Sequence, residues 1–236
     1  MRVLEVSQNF PSKHYNIGVF IKQSIDAVAK TGKVNIEVVS PKAFVLPHKI
    51  FPRFPYSRFS ELPLKEKHKG YAVHYPRYIY PVPKRLFYPL TGALYVLSVN
   101  RYIKKNIFKK KIPDLIHAHA VYPDGYAMAK LAEEMKIPLI THIRGTLVRR
   151  IAAEWPAIRK RIFWTLKKSE RILAVSEELK DRCAEMVIQG EKISVAPNGV
   201  DTNAFRPQST EEMRKKLGIK SKIVLLCVGD LKPVKG

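Results

Sequence analysis

Two kinds of apolar segment alternate along this chain, and their alternation limits the possible folds most strongly. Short apolar runs typical of buried strands are separated by longer segments whose apolar residues recur at helical spacing. In the clearest helical segment, 19–30, the residues Ile21, Ile25, Val28 and Ala29 fall on one face, and Gly32 can end the helix. Regular alternation predicts a mainly parallel sheet with helices on both faces. The predicted fold class is therefore α/β, with a Rossmann-like, doubly wound sheet.

The same patterns place the predicted elements along the sequence. Ser176 is well placed to cap the helix that follows it, because its hydroxyl can accept a backbone N–H. Strands are predicted at 2–7, 35–41, 71–80, 114–120, 138–145, 171–176 and 192–196, and helices at 19–30, 86–109, 124–136 and 147–168.

The last 30 or so residues predict the start of a second domain. Ser209 and Glu212 stand three apart, a possible capping box. The apolar run 223–228 then resembles a new buried strand. A chain that completes a doubly wound domain and begins another strand is entering a second domain. We therefore predict a first domain at 1–207 and, at 208–236, a linker helix with the first strand and loop of a truncated second domain.

Positive charge is concentrated in one part of the chain. The formal net charge is +23, and residues 42–111 hold 16 Lys and Arg residues against two acidic ones. Such a field favours anionic partners, namely nucleic acid, acidic lipid headgroups or phosphorylated small molecules. Within this part, 42–70 is predicted to be a long basic loop, since it exceeds an ordinary connection, and it is either functional or mobile.

The sequence also bears on the compartment. No apolar run approaches the roughly 18 residues needed to cross a bilayer, and the N-terminus lacks the features of a signal peptide. The two cysteines, Cys183 and Cys227, suggest no disulfide framework, metal site or redox pair. A cytoplasmic location is therefore expected.

Ligands of doubly wound sheets bind beyond the carboxyl ends of the strands, so the loops there hold the candidate residues. Gly18 lets the backbone approach a ligand closely, and the helix start after it suits a diphosphate; alternatively, it only eases a turn. His117 and His119 point to one face of their strand, and His119 lies nearer its carboxyl end. His119 could bind hydroxyls, take up a proton or simply pack. A metal site is not expected, because no third ligand lies at a helpful spacing.

Two further loops carry turn and cap signals. Asp124 is expected to cap the next helix, with a ligand contact as the alternative. Asn198 and Gly199 readily adopt positive φ, and Asp201 can bond back to the backbone. These residues therefore have a structural explanation as well as a functional one.

Several stretches in order resemble glycosyltransferase family 4, a family of GT-B architecture. They are NIGVFIKQSIDAVAKTG, IHAHAVYPDGYAMAKLAEEMKIPLITHIRGT, AVSEEL, SVAPNGVDTNAFRP and LLCVGDLKPVKG. The resemblance covers nearly the whole chain apart from 42–70. It implies that this chain is the N-terminal, acceptor-binding half of a two-domain enzyme, and that the cleft between the two Rossmann-like domains is the active site.

The resemblance implies transfer of a sugar, of hexosyltransferase type, from a nucleotide-sugar to a carbohydrate or lipid-linked acceptor hydroxyl. The expected outcome is retention at the anomeric carbon, with no metal or other cofactor. Catalysis needs both reactants held together, so this chain alone is expected to be inactive. Acceptors of this family are often lipid-linked, so contact with an anionic membrane surface is also expected.

Particular residues match motif positions of the family. Arg144 stands where many members carry histidine near the reacting sugar, and its guanidinium could stabilise the departing diphosphate but not act as a base. His119 is the second catalytic candidate. The resemblance assigns the donor phosphates to Ile17, Gly18 and Lys235, and the acceptor to Asp124, Gly145 and Asn198.

The charge alone supports a different class of function. A basic protein that binds phosphate, nucleic acid or a membrane surface without catalysis is the alternative. No zinc-finger spacing or RNA-recognition signature is present, so a specific nucleic-acid partner is not expected.

Overall fold

An eight-stranded sheet organises the first of two compact units, Met1–Gly199; the second is Val200–Gly236. The computed structural model describes residues 1–45, 49–50, 53, 56–80, 84–145, 155–185 and 190–229. The strands are β1 Arg2–Val6, β2 Asn35–Val39, β3 Lys42–Ala43, β4 Lys65–His68, β5 Tyr71–His74, β6 Arg77–Tyr78, β7 Leu115–Ala118, β8 Leu139–Ile143, β9 Arg171–Ala174 and β10 Ile193–Val195.

Six α-helices accompany these strands in the described residues. They are α1 Val19–Lys30, α2 Lys84–Ile103, α3 Tyr126–Met135, α4 Pro156–Lys168, α5 Glu177–Ala184 and α6 Thr210–Lys216. Short 3-10 turns lie at Ser57–Glu61 and Gly190–Lys192, and π-helical turns lie at Lys104–Phe108 and Val121–Gly125.

The strand order of the sheet is β10-β9-β8-β7-β1-β2-β5-β4. Every neighbouring pair is parallel except β4 with β5. The chain builds outward from β1 through β2 to β5, then returns to place β7 on the other side of β1. This reversal between β1 and β7 is the switch point at which doubly wound sheets bind ligands. The predicted α/β fold class with a mainly parallel sheet is confirmed.

Apolar faces of the helices seal the sheet. Helix α1 buries Ile21 and Ile25 in a cluster with strand residues such as Ile36 and Val73. Helices α2 and α3 share a second cluster that includes Ile116, and α4 and α5 share a third that includes Ile172. The helix predicted at 19–30 has the bounds of α1, and Ile21 and Ile25 are buried as predicted. Val28, expected on the same face, is 44% exposed.

Predicted caps are present where the sequence placed them. Ser176 accepts the N–H of Leu179 at 3.3 Å at the start of α5, and Ser209 accepts the N–H of Glu212 at 3.3 Å at the start of α6. After α1, Gly32 has a positive φ of 66° and its N–H donates to the Ala29 carbonyl.

The long basic loop predicted at 42–70 contains regular elements in its described part. Strand β3, the turn Ser57–Glu61 and the edge strand β4 lie within it. Strand β4 was missed because its sequence, KEKH, is polar and its first three residues are exposed, as suits a sheet edge.

Two other expectations need correction. The predicted strand 71–80 is split: β5 ends at His74, and β6 pairs with β3 in a separate two-stranded sheet. Residues 223–228 are exposed and form no strand, because no described strand lies beside them to share a ladder. The first residues of the predicted helix 147–168 lie outside the described residues, and α4 begins at Pro156.

No helix within the described ranges is long and apolar enough to cross a membrane. Cys183 is buried, Cys227 is exposed, and both thiols are free.

Candidate functional site

A buried carboxylate stands at the switch point of the sheet. Glu5, in β1, is 6% exposed and lies opposite His117 of the neighbouring strand β7. Its Oε2 atom lies 2.9 Å from His117 Nδ1 and 2.8 Å from His119 Nε2. Both imidazoles therefore point to one face, as their alternation along the strand predicts. Glu5 was not a predicted site residue, although an acid inside the apolar run RVLEV was a signal for one.

Burial and neighbours set the protonation of this group. Burial alone would raise the pKa of Glu5, but the charge and hydrogen bonds of His117 and His119 outweigh it and hold that pKa well below its ordinary value. Burial, with His117 nearby, lowers the pKa of His119 to about 4. His119 is then neutral near pH 7, where it donates Nε2–H to Glu5 and leaves Nδ1 as an acceptor.

Arg144 follows β8 and reaches this group from the neighbouring strand. Its Nη2 atom lies 3.1 Å from His142 Nδ1 and 3.5 Å from His119 Nδ1. Its Nη1 donates to Oδ1 of Asn198, beyond the end of β10. Burial lowers the pKa of Arg144 to about 10, so the guanidinium still carries its charge at neutral pH.

Arg144 also joins the site to the first helix. Its guanidinium carbon lies 4.9 Å from the centre of the Phe20 ring, in the first turn of α1. Phe20 follows Gly18 by two residues, so the structure brings together the loops after β1, β7, β8 and β10. Arg144 thus contacts two other predicted site residues, Asn198 through Nη1 and His119 through Nη2.

Three histidines crowd the same place. His117, His119 and His142 each offer one ring nitrogen, and these atoms lie within 4.8 Å of one another. A third possible ligand is therefore present, contrary to the prediction from spacing, because His142 comes from the adjacent strand rather than from nearby sequence. Burial and the charge of Arg144 lower the pKa of His142 to about 2. A metal that used Nδ1 of His119 and His142 would have to displace the Arg144 guanidinium, and positive charge there opposes a second cation.

The loop before α1 is seated against the residues after β1. Gly18 has a φ of 80° and stands at the N-cap of α1. A Cβ atom on Gly18 would overlap the carbonyl oxygen of Asn9. Glycine therefore allows the loop to pack against Asn9, which side-chain-bearing residues could not do without a shift. The preceding Ile17 is 54% exposed at the same loop.

Asp124 does not cap α3, and that expectation is wrong. The helix begins at Tyr126, with no side-chain hydrogen bond at its N-cap. Asp124 is fully buried and instead accepts the backbone N–H of Gln8, with 3.1 Å to the nearer oxygen, and the hydroxyl of Tyr95. Burial raises the pKa of this carboxyl to about 6. Because it is buried, Asp124 can affect a ligand only indirectly, through Gln8 and Tyr95.

The remaining candidates fall in different places. Gly145 has a φ of 60°, and a Cβ there would meet no atom within 4 Å. Asp201 accepts the N–H of Asn203 at 2.9 Å, as predicted. The expectation of positive φ at Asn198 and Gly199 is wrong, because neither residue has a positive φ. Lys235 lies outside the described residues.

Comparison with known proteins shows which family this chain resembles. The family described as Glycosyltransferase Family 4 matches residues 56–204. The chain is 28% identical over 226 residues to a protein of Bacillus subtilis named as a teichuronic acid biosynthesis glycosyltransferase, TuaC; the match covers 93% of this chain and 55% of TuaC.

Solved structures share the fold at low identity. The N-terminal domain of trehalose-6-phosphate phosphatase from Candida albicans has a TM-score of 0.58 and 13% identity, over 92% of this chain and 53% of that one. Anabaena HepE, solved in complex with UDP, has a TM-score of 0.53 and 15% identity, over 92% of this chain and 50% of that one. The chain thus spans about half the length of each of these proteins.

Proposed function

This chain belongs to glycosyltransferase family 4, and we propose that it is the acceptor-binding half of an enzyme that moves a sugar from a nucleotide-sugar to an acceptor hydroxyl. The reaction is of hexosyltransferase type and retains the configuration at the anomeric carbon. The nucleotide is held mainly by a second domain, of which 208–236 is the beginning.

The position of Arg144 is the observation that carries this proposal. Its guanidinium is held by Asn198 and His142 at the switch point of the sheet. When a nucleotide-sugar reacts, negative charge develops on the departing diphosphate. A cation already fixed in place stabilises that charge without further reorganisation. Since the guanidinium stays protonated, Arg144 acts as an electrostatic group rather than a base.

The other site residues support this role. His119 is only 3% exposed, so we assign it to orienting Arg144 through its neutral imidazole. The donor phosphates bind at the start of α1, beside Ile17 and Gly18. Lys235 provides a second positive charge for these phosphates. Gly145 and Asn198 line the acceptor side, and Asp124 acts there through Gln8. With Arg144 supplying positive charge, the reaction proceeds without a metal.

The relatives narrow the substrates. UDP occupies the solved structure of HepE, and the name of TuaC refers to the biosynthesis of teichuronic acid. A UDP-sugar donor and an acceptor belonging to a growing polysaccharide or its lipid-linked precursor are therefore the substrates to test first.

A transfer assay tests the proposal. The full-length protein should release nucleoside diphosphate from a UDP-sugar in the presence of an acceptor, and NMR of the product should show retention. Residues 1–236 alone should show no turnover, because half of the site walls are absent. Robust turnover by 1–236 would contradict the assignment as a half-site, and binding of DNA without any sugar transfer by the full-length protein would favour the non-catalytic alternative.

One surface also supports peripheral contact with the cytoplasmic side of an anionic membrane. Leu97, Arg101, Lys105 and Lys109 line one open groove along α2 and the turn after it, here called the α2 groove. Leu97 is 69% exposed, so an apolar side chain stands beside these cations. The groove also contains Glu134, which pairs with Lys104. Each lysine or arginine near anionic headgroups contributes about 1 kcal/mol of attraction, and apolar side chains can enter the interfacial layer.

A second basic segment, 155–168, contains both tryptophans of the chain but is used differently. Trp155 and Trp164 pack against the hydrophobic clusters of α3 to α5. Lys130 also makes a cation–π contact with Trp164, with its Nζ atom 4.2 Å from the ring centre. These tryptophans therefore serve the core more than a membrane surface.

Vesicle co-sedimentation should distinguish membrane binding through the α2 groove from attraction by the overall positive charge of the protein. Leu97→Glu should reduce pelleting with anionic vesicles several-fold, because it adds a negative charge where an apolar group would insert. Val28→Glu, at another exposed helical position, is the matched control and should pellet like the wild type. Equal pelleting with neutral and anionic vesicles at moderate salt would remove the proposed membrane contact.

A further inference from the structure

A buried lysine holds the segment that follows the central strand. Lys42 is 1% exposed, and its Nζ donates to the backbone carbonyls of Gln8 at 2.8 Å and Phe10 at 3.0 Å. Its own backbone N–H donates to the Pro76 carbonyl at 2.9 Å, which fixes the base of the side chain. The ammonium group is thus committed to two carbonyls, both in the three residues Gln8–Phe10.

Aromatic rings enclose this ammonium group. Its Nζ lies 5.5 Å from the ring centres of Tyr15 and Phe59, and 5.9 Å from that of Tyr75. Ring faces attract a cation and exclude water from it. Burial lowers the pKa of Lys42 to about 7, the charge of Asp124 opposes that shift, and the charge of Arg77 adds to it. A lysine in such a place is costly to bury, so its contacts must be strong to keep it there.

Asp124 holds the same segment from the other side. It accepts the N–H of Gln8, whose carbonyl accepts from Lys42. The two peptide groups of Gln8 are therefore each bound by a buried ionisable side chain, one from β3 and one from the turn after β7. Neither partner is close to the other in sequence, so the segment is held by the tertiary fold.

The held segment is also the seat of the loop before α1. Gly18 packs directly on the carbonyl of Asn9, the residue between Gln8 and Phe10. A displacement of 8–10 must therefore move Gly18 and the start of α1. Phe20, in that first turn, lies against Arg144. The position of residues 8–10 therefore affects both the loop that contains Gly18 and the guanidinium of Arg144.

We propose that Lys42 is a positioning residue for sugar transfer: together with Asp124 it clamps Gln8–Phe10, and the clamp places the Gly18 loop against the donor diphosphate. This inference rests on the proposed function. Lys42 itself touches neither substrate.

Kinetics of the full-length protein test the clamp. Lys42→Met keeps the apolar stem but cannot donate to the two carbonyls. We expect kcat/KM for the UDP-sugar to fall roughly 10- to 100-fold, as for other small misplacements of binding groups, with KM for the acceptor unchanged. Lys180→Met, which removes an exposed lysine on α5, is the control and should match the wild type.

Hydrogen exchange on residues 1–236 tests the same idea without turnover. In Lys42→Met, amides of 8–18 should exchange faster than in the wild type, while those of α3 should not. Uniformly faster exchange, or equal losses for donor and acceptor, would mean that Lys42 serves only general stability and would overturn the proposal.

A second variant covers the case in which Lys42→Met does not fold. Asp124→Leu, which cannot accept the Gln8 N–H, should also weaken donor use. Where Lys42→Met does fold, the double variant should lose less than the product of the two single losses, because both residues hold one segment. Unchanged donor kinetics in Asp124→Leu would overturn the clamp. If the wild-type protein transfers no sugar, the proposed function fails instead, and hydrogen exchange still reports whether the clamp exists.

Discussion

Replacing Arg144 by alanine in the full-length enzyme should lower kcat by about 10²- to 10³-fold, the loss seen when one preorganised electrostatic contact to a developing charge is removed. The charge grows on the diphosphate as the sugar departs, so the effect should fall on kcat more than on the KM of the acceptor. Steady-state kinetics with a saturating UDP-sugar measure it. The contacts with Asn198 and His142 would be lost in the same variant.

Two further variants make this result specific. Arg144→Lys keeps a positive charge but not the two-pronged geometry that contacts Asn198 and His142, so its rate should lie between those of the wild type and Arg144→Ala. Arg182→Ala removes an exposed arginine of α5 that pairs with Glu178, and it should leave the rate unchanged. A rate for Arg144→Ala equal to that of Arg182→Ala would remove Arg144 from the reaction.

The second large effect is expected at Gly18. Gly18→Ala should reduce the free energy of unfolding by more than the ~1–3 kcal/mol that a side-chain-bearing residue loses at positive φ. The added Cβ would also overlap the Asn9 carbonyl oxygen, so the backbone has to move. For a domain of this size each 1 kcal/mol corresponds to roughly 2–4 °C in Tm, so thermal unfolding should shift by several degrees.

Gly32→Ala separates strain from overlap. Gly32 also has a positive φ, of 66°, but a Cβ there meets no atom within 4 Å. Gly32→Ala should therefore lose only the stability that a side-chain-bearing residue loses at a positive φ. Equal Tm losses for Gly18→Ala and Gly32→Ala would show that the close approach of Gly18 to Asn9 is unimportant, and would weaken the account of the seated loop.

Local patterns were enough to predict most of the fold. The apolar spacing within 19–30 predicted a helix with the bounds of α1. The caps at Ser176 and Ser209 were predicted from these single residues. These features depend on neighbours within a few positions, which the sequence displays directly. Strand β4 was hidden because its residues are polar, and its place at the sheet edge depends on β5 rather than on its own composition.

The candidate site depends on contacts that no local pattern contains. The alternation of His117 and His119 predicted that they share a face, but Glu5 lies over 100 positions away and meets them only because β1 pairs with β7. His142 joins in the same way, because β8 pairs with β7. Asn198 follows β10, which lies two strands beyond β8 in the sheet. Asp124 was assigned to the nearest helix start, whereas the fold gives it a partner, Gln8, that is distant in sequence.

The central claim is that the charged group at the β1–β7 switch point faces the donor diphosphate. A structure of the full-length protein with a bound UDP-sugar tests it most directly. We predict a phosphate oxygen within ~3 Å of a guanidinium nitrogen of Arg144, the distance of a charge-assisted hydrogen bond, with the other face of the diphosphate toward the Gly18 loop. A diphosphate bound at the opposite end of the sheet, or with Arg144 still turned to Asn198 and out of its reach, would contradict the account.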